Sequence, residues 1–171
     1  MKQAKKILVP TDLSVKSLQI VREAVEQNTD AELEIVLACG ALLPDSITDL
    51  LFLSKRKMIA DLQTQEFVEA CKIIKSKYST RIQNMYVDVL TSSNGSYVQS
   101  YLKGAKIDEV VIPVNYNFTF KNSSCFSVLP KLKKHAPASF EVIMPKESVA
   151  TYTETNNLSD LFLNPLELTT G

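Results

Sequence analysis

Residues 108–144 read DEVVIPVNYNFTFKNSSCFSVLPKLKKHAPASFEVIM, and the order of patterns in this stretch decides the fold. An apolar run over residues 110–114 predicts a buried strand. A polar and aromatic loop follows, then a helix over residues 127–135. A last strand over residues 140–144 opens with Phe140 and closes with Met144. In an open α/β sheet, the loop after a buried strand is where a nucleotide would sit. This loop contains no glycine.

The same alternation extends outward to the N-terminus. Residues 6–10, β-branched and bounded by lysine and proline, predict a first strand. Thr11-Asp12-Leu13-Ser14 is its turn, with Ser14 placed to cap a helix carrying Leu18, Val21 and Val25. Residues 33–39 are apolar almost throughout, as a strand covered on both faces requires. One long helical pattern is predicted over residues 49–78, its clearest stripe being Phe67, Ala70, Cys71, Ile74 and Tyr78. A third strand over residues 82–90, a short helix carrying Val98, Tyr101 and Leu102 and a fourth strand over residues 109–114 complete the series. Strands alternating with helices predict an α/β fold, a parallel sheet with helices on both faces. Residues 1–145 form that domain, and residues 146–171 are a C-terminal tail outside the pattern. The tail carries Leu158, Leu161, Phe162, Leu163, Leu166 and Leu168 among acidic residues, and is expected to dock on the domain or on a dimer partner.

Composition narrows the function class. The chain of 171 residues is 45% hydrophobic and carries 19 basic and 19 acidic residues. That balance fits a globular protein and argues against a nucleic-acid partner. No apolar run approaches the roughly 18 residues needed to span a bilayer. The opening MKQAKKILVPTD has too short an apolar run for a signal peptide, and the three cysteines are widely spaced without a CxxC; both point to a reducing cytoplasm.

The opening KKILVPTDLSVKS, the segment AKIDEVVIP, and LKKHAP before FEVIMP together resemble the universal stress protein family over roughly residues 4–145. The resemblance implies five parallel strands in the adenine nucleotide alpha hydrolase-like order 3-2-1-4-5. It also implies a homodimer paired through the last strand, from Phe140 to Met144. ATP-binding members of that family carry three glycines after the fourth strand, the last followed by Ser or Thr. Counted back from His135-Ala136-Pro137, those glycines fall on Pro113, Tyr116 and Phe126, with Ser127 retaining the hydroxyl. A phosphate cradle turns successive backbone N–H groups toward the anion and needs glycine to do so. Proline at 113 has no N–H to donate, and Tyr116 and Phe126 add ring volume.

The candidate ligand-binding residues of this cleft are therefore Pro10, Thr11, Asp12, Pro113, Tyr116, Phe126 and Ser127. Asp12 reads either as a ligand contact or as a turn-forming carboxylate, the second being favoured once the phosphate loop is lost. His135, the only histidine, sits at a helix C-terminus where it complements the dipole, without the partners of a triad or metal site. Cys71 falls on a core stripe, and Cys125 is expected to be the most exposed thiol. No catalysis, cofactor or metal is expected. The expectation is a non-catalytic binding or regulatory module in stress response that does not bind ATP and has an unidentified protein partner. The alternative is a small-molecule binder or weak nucleotide hydrolase with a rebuilt pocket, in which Tyr116, Phe118 and Phe120 stack on a base.

Overall fold

The computed structural model describes residues 3–145. The element order is β1 (Lys5–Pro10), α1 (Leu18–Gln27), β2 (Leu33–Ala41), α2 (Ile47–Leu51), α3 (Lys55–Leu62), α4 (Gln65–Lys77), β3 (Ile82–Leu90), α5 (Gly95–Gly104), β4 (Glu109–Pro113), β5 (Cys125–Phe126), α6 (Leu129–His135) and β6 (Ser139–Val142). The expectation placed on residues 146–171 lies outside the described residues.

Five strands pair in parallel in the order β3-β2-β1-β4-β6, so the last predicted strand takes the place expected of it. Alternation along the central strands explains why helices cover both faces. Ile7 and Val9, Ile35, Leu37 and Cys39, and Val111 point into one core, which α1 and α4 close with Leu18, Val21, Val25, Phe67, Ala70 and Ile74. Leu8, Val36 and Ala38, and Val110 and Ile112 point into a second core, closed by Val98 and Leu102 of α5 and Leu132 of α6. A strand buried on both faces has no polar positions left, hence the unbroken apolar runs of β1, β2 and β4.

Two expectations need correction. The single long helix over residues 49–78 is three helices. Ser54 Oγ accepts from the Lys57 amide at 3.1 Å and Thr64 Oγ1 accepts from the Phe67 amide at 3.1 Å. Each hydroxyl satisfies an orphan amide at a new helix start, so the chain breaks at both sites although the apolar stripe runs on. The sheet also has a sixth strand. The two-residue β5 lies antiparallel to β2, opposite Gly40 and Ala41, and returns the loop after β4 to the far side of β1. Ser14 does accept the Ser17 amide, at 3.1 Å, but it caps a tight turn; regular helix begins only at Leu18.

The strand order reverses at β1, flanked by β2 and β4. This switch point opens a crevice at the C-terminal ends of β1 and β4. The residues that border it are the turn after β1 and the aromatic loop after β4.

Candidate functional site

Among the described residues, the buried polar side chains are Thr11, Asp12 and Ser17, and all three sit at the turn after β1. Buried polar groups need partners, and these have them. Thr11 Oγ1 shares a 2.8 Å hydrogen bond with Ser17 Oγ and accepts from the Leu13 amide at 3.0 Å. Leu13 is thereby held at φ 62°, a left-handed conformation that an apolar side chain adopts at a cost of roughly 1 kcal/mol or more.

Asp12 is the centre of the arrangement. Its Oδ1 accepts from the Ser14 amide at 3.0 Å and the Ser14 hydroxyl at 2.5 Å. Its Oδ2 accepts from the Tyr116 hydroxyl at 2.9 Å and the Thr119 amide at 3.0 Å. An ionised carboxylate offers about four lone-pair positions, and these four donors match that number. The Ser14 and Tyr116 oxygens approach to 3.2 Å, but with both protons directed at Asp12 this approach adds no third bond. Asp12 is thus both the turn-forming carboxylate of the sequence reading and a tie between the turn after β1 and the loop after β4.

The aromatic side chains of that loop pack on one another and on the core. Tyr116 and Phe118 meet edge to face, with centroids 4.9 Å apart, and Phe118 stacks on Phe120 at 6.3 Å. All three lie half-buried against the α1/α4 core. At the loop's far end, Phe126 lies against Gly40 of β2, where a Cβ would come within 2.6 Å of the ring Cζ. Glycine is required at 40 because of this close approach. The ring therefore sits over β2, away from the Asp12 turn.

The seven candidate residues separate accordingly. Thr11, Asp12 and Tyr116 form one bonded cluster. Pro10 and Pro113 are buried at the ends of their strands, opposite Ala38 and Val142. Phe126 covers Gly40. Ser127 is exposed, and its hydroxyl accepts from the Leu129 amide at 3.3 Å, at the start of α6. A hollow of about 360 Å³ remains beside the cluster. Besides Asp12 and Tyr116 it is lined by Lys16, Glu66, Phe120 and Lys121. Glu66 arrives through the α3–α4 break, which the sequence pattern concealed.

Burial disfavours the thiolate form of all three cysteines. Burial pushes Cys39 and Cys71 up to about 12, and burial also raises Cys125, against hydrogen bonds with Ser124 and Cys39. Cys125 is half-buried and faces Cys39; it is the least buried of the three thiols, as its place in a polar loop suggests, without being freely exposed. His135 ends α6 as predicted, with its ring against Gly95. Among the described residues no cluster of three or more His, Cys, Asp or Glu side chains could hold a metal ion, and no helix is long and apolar enough to cross a membrane.

No family model and no curated protein matches the sequence. Solved structures do match. Universal stress protein UspA from Lactobacillus plantarum superposes with a TM-score of 0.53 at 16% identity, covering 85% of this chain and all (100%) of that one. Hypothetical protein MJ0577 gives a TM-score of 0.51 at 17% identity, covering 86% of this chain and 100% of that one. A universal stress protein in complex with cAMP is a looser match, with a TM-score of 0.45 at 16% identity, covering 84% and 100%. The fold is that of the universal stress proteins.

Proposed function

We propose that this protein is a non-catalytic binding module on the universal stress protein fold, and that its switch-point cleft is closed to ATP by its own loop. The observation that carries this reading is the saturation of Asp12. A ribose or adenine group seeking that carboxylate would have to displace the Tyr116 hydroxyl and the Thr119 amide, both supplied by the chain itself. Pro113 removes one backbone donor from the strand end where a phosphate cradle would begin, and Phe126 is committed to Gly40. The loop lacks glycine, so its amides have no ready route into a left-handed nest.

Pairing of two copies through β6 belongs to the same proposal. β6 is an edge of the sheet, and Ile143 just beyond it is 69% exposed. A sheet edge with unpaired backbone groups is a template for a second strand. The work of such a module falls to partner recognition in a stress response inside the cell.

One observation favours a second reading. The hollow beside Asp12 is within the size range of small-molecule sites, and its wall carries two lysines, Lys16 and Lys121, together with two carboxylates, Asp12 and Glu66. A small polar ligand other than ATP would fit that chemistry. A thermal-shift screen with ATP, AMP, cyclic nucleotides and adenylylated metabolites separates the readings. The closed-cleft reading predicts no shift with any of them. A concentration-dependent rise in melting temperature with a smaller ligand but not ATP selects the second. A rise with ATP refutes the first.

A further inference from the structure

The most exposed apolar surface of the domain adjoins the Asp12 hollow, with which its groove shares Leu62 and Asn122. Between the end of β2 and the start of α3, the side chains of Leu42, Leu43, Ile47, Leu51 and Phe52 are exposed, three of them by more than three-quarters (Ile47 76%, Leu51 77%, Phe52 79%). α2 buries no residue at all, and α3 none fully. A five-residue helix has no independent stability in water, since nucleation is unfavourable and tertiary packing supplies most helical stability. Scattered apolar residues on a surface are ordinary, but a contiguous set on one short helix marks a contact. Beside it runs a groove of about 570 Å³, walled by Leu42, Leu43, Leu53, Met58 and Leu62 on one side and by the turn at residues 122–124 on the other.

We propose that residues 158–168 of this same chain dock on this α2–α3 face. The sequence supplies matching chemistry: Leu158, Leu161, Phe162, Leu163, Leu166 and Leu168 lie within eleven residues, interrupted by Asp160 and Glu167. The connection also reaches. β2 leads into the apolar face and β6 leads into Pro145, and both strands end at the same edge of a parallel sheet. They are separated by β1 and β4, so three interstrand spacings, about 14 Å, divide them. The twelve residues 146–157 can span up to about 40 Å, well beyond that separation. Tethering at that range gives an effective concentration of order millimolar, which a free second copy at cellular concentration does not match. Charge plays a lesser part. Lys55, Arg56 and Lys57 lie next to the apolar run, but Asp45, Asp49 and Asp61 flank it as well, and Lys55 is already paired with Asp88 at 2.7 Å. The specificity is therefore apolar, and the occupant is chosen by reach.

The inference is independent of whether the Asp12 cleft binds anything, and amide hydrogen exchange on the full chain tests it. In the unaltered protein, amides at 47–53 and at 158–168 are expected to be protected together. Leu161→Ser with Phe162→Ser should reduce protection at 47–53 by about tenfold or more while leaving 82–90 unchanged. The reciprocal pair, Leu51→Ser with Phe52→Ser, changes only exposed side chains and should reduce protection at 158–168 to the same extent. Random-coil exchange at 158–168 in the unaltered chain, or protection at 47–53 indifferent to the Leu161/Phe162 pair, overturns the proposal. Protection at 47–53 that falls on dilution, in step with a falling mass, also overturns it, because the occupant is then a second copy.

Discussion

Removing one hydroxyl tests the tie between the two loops of the cleft. Tyr116→Phe deletes the donor that reaches Asp12 Oδ2 at 2.9 Å and leaves the ring in place. A hydrogen bond to a charged acceptor contributes roughly 1.5–3 kcal/mol, and partial access of water to the half-buried Tyr116 recovers some of it. The expected loss is about 1–2 kcal/mol. Asp12→Asn is more severe: its NH2 group would face two of the four donors that now point at the carboxylate, at an expected cost of about 2–4 kcal/mol. The two losses should not add, because both remove the same contact. Urea unfolding of the two single variants and the double variant closes a double-mutant cycle, with an expected coupling of about 1 kcal/mol or more. The Tyr116→Phe midpoint alone should fall by about 0.5–1 M urea. In both single variants the Thr119 amide, which donates to the same carboxylate at 3.0 Å, should exchange faster. Additive losses with a coupling near zero, together with an unchanged Thr119 amide, would refute the tie.

Three further outcomes follow from the same geometry. Gly40→Ala places a methyl group inside the Phe126 ring and should destabilise by about 1–3 kcal/mol, and adding Phe126→Ala should return part of that loss relative to Phe126→Ala alone. Thiol alkylation should be slow in the folded protein. Burial disfavours the thiolate of the partly exposed Cys71 up to about 12, so its rate should climb about tenfold per pH unit from pH 7 to 10, where a free thiol levels off near 8.5. A plateau near pH 8.5 for Cys71 would contradict that shift, whereas Cys39, with no exposed surface, should react only after local opening. Light scattering at micromolar concentration should give the mass of two chains, and Ile143→Lys at the β6 edge should give one; a monomer without the substitution would contradict pairing there.

The sheet was legible in the sequence because its central strands are buried twice over. Ile7 to Val9 and Ile35 to Cys39 face alternate cores, so no polar residue interrupts them and no other element fits the pattern. The breaks at Ser54 and Thr64 were not legible. The apolar stripe continues across both, and a serine or threonine side chain bonding to an amide three residues on leaves no mark beyond its own identity. β5 escaped notice because two residues carry no periodicity, and its pairing with Gly40 is a contact across 86 positions. At the cleft, the missing glycines could be counted from the sequence, and the turn-forming role of Asp12 could be read from its neighbours. That Tyr116 closes on Asp12 could not: the two lie 104 residues apart, and only the folded sheet brings the ends of β1 and β4 together. Ser127 shows the converse. Its position in the spacing of the family's glycine motif marked it as a ligand contact, whereas its hydroxyl is turned to the start of α6.

Titration calorimetry with Mg-ATP on the full chain tests the central claim most directly. If the loop after β4 closes the cleft through Asp12, ATP should give no binding heat at concentrations up to about 1 mM, an affinity weaker than about −4 kcal/mol. A micromolar dissociation constant that weakens at least tenfold on Ser127→Ala or Asp12→Asn would contradict the account, since ATP would then be held by groups that this structure commits to its own chain.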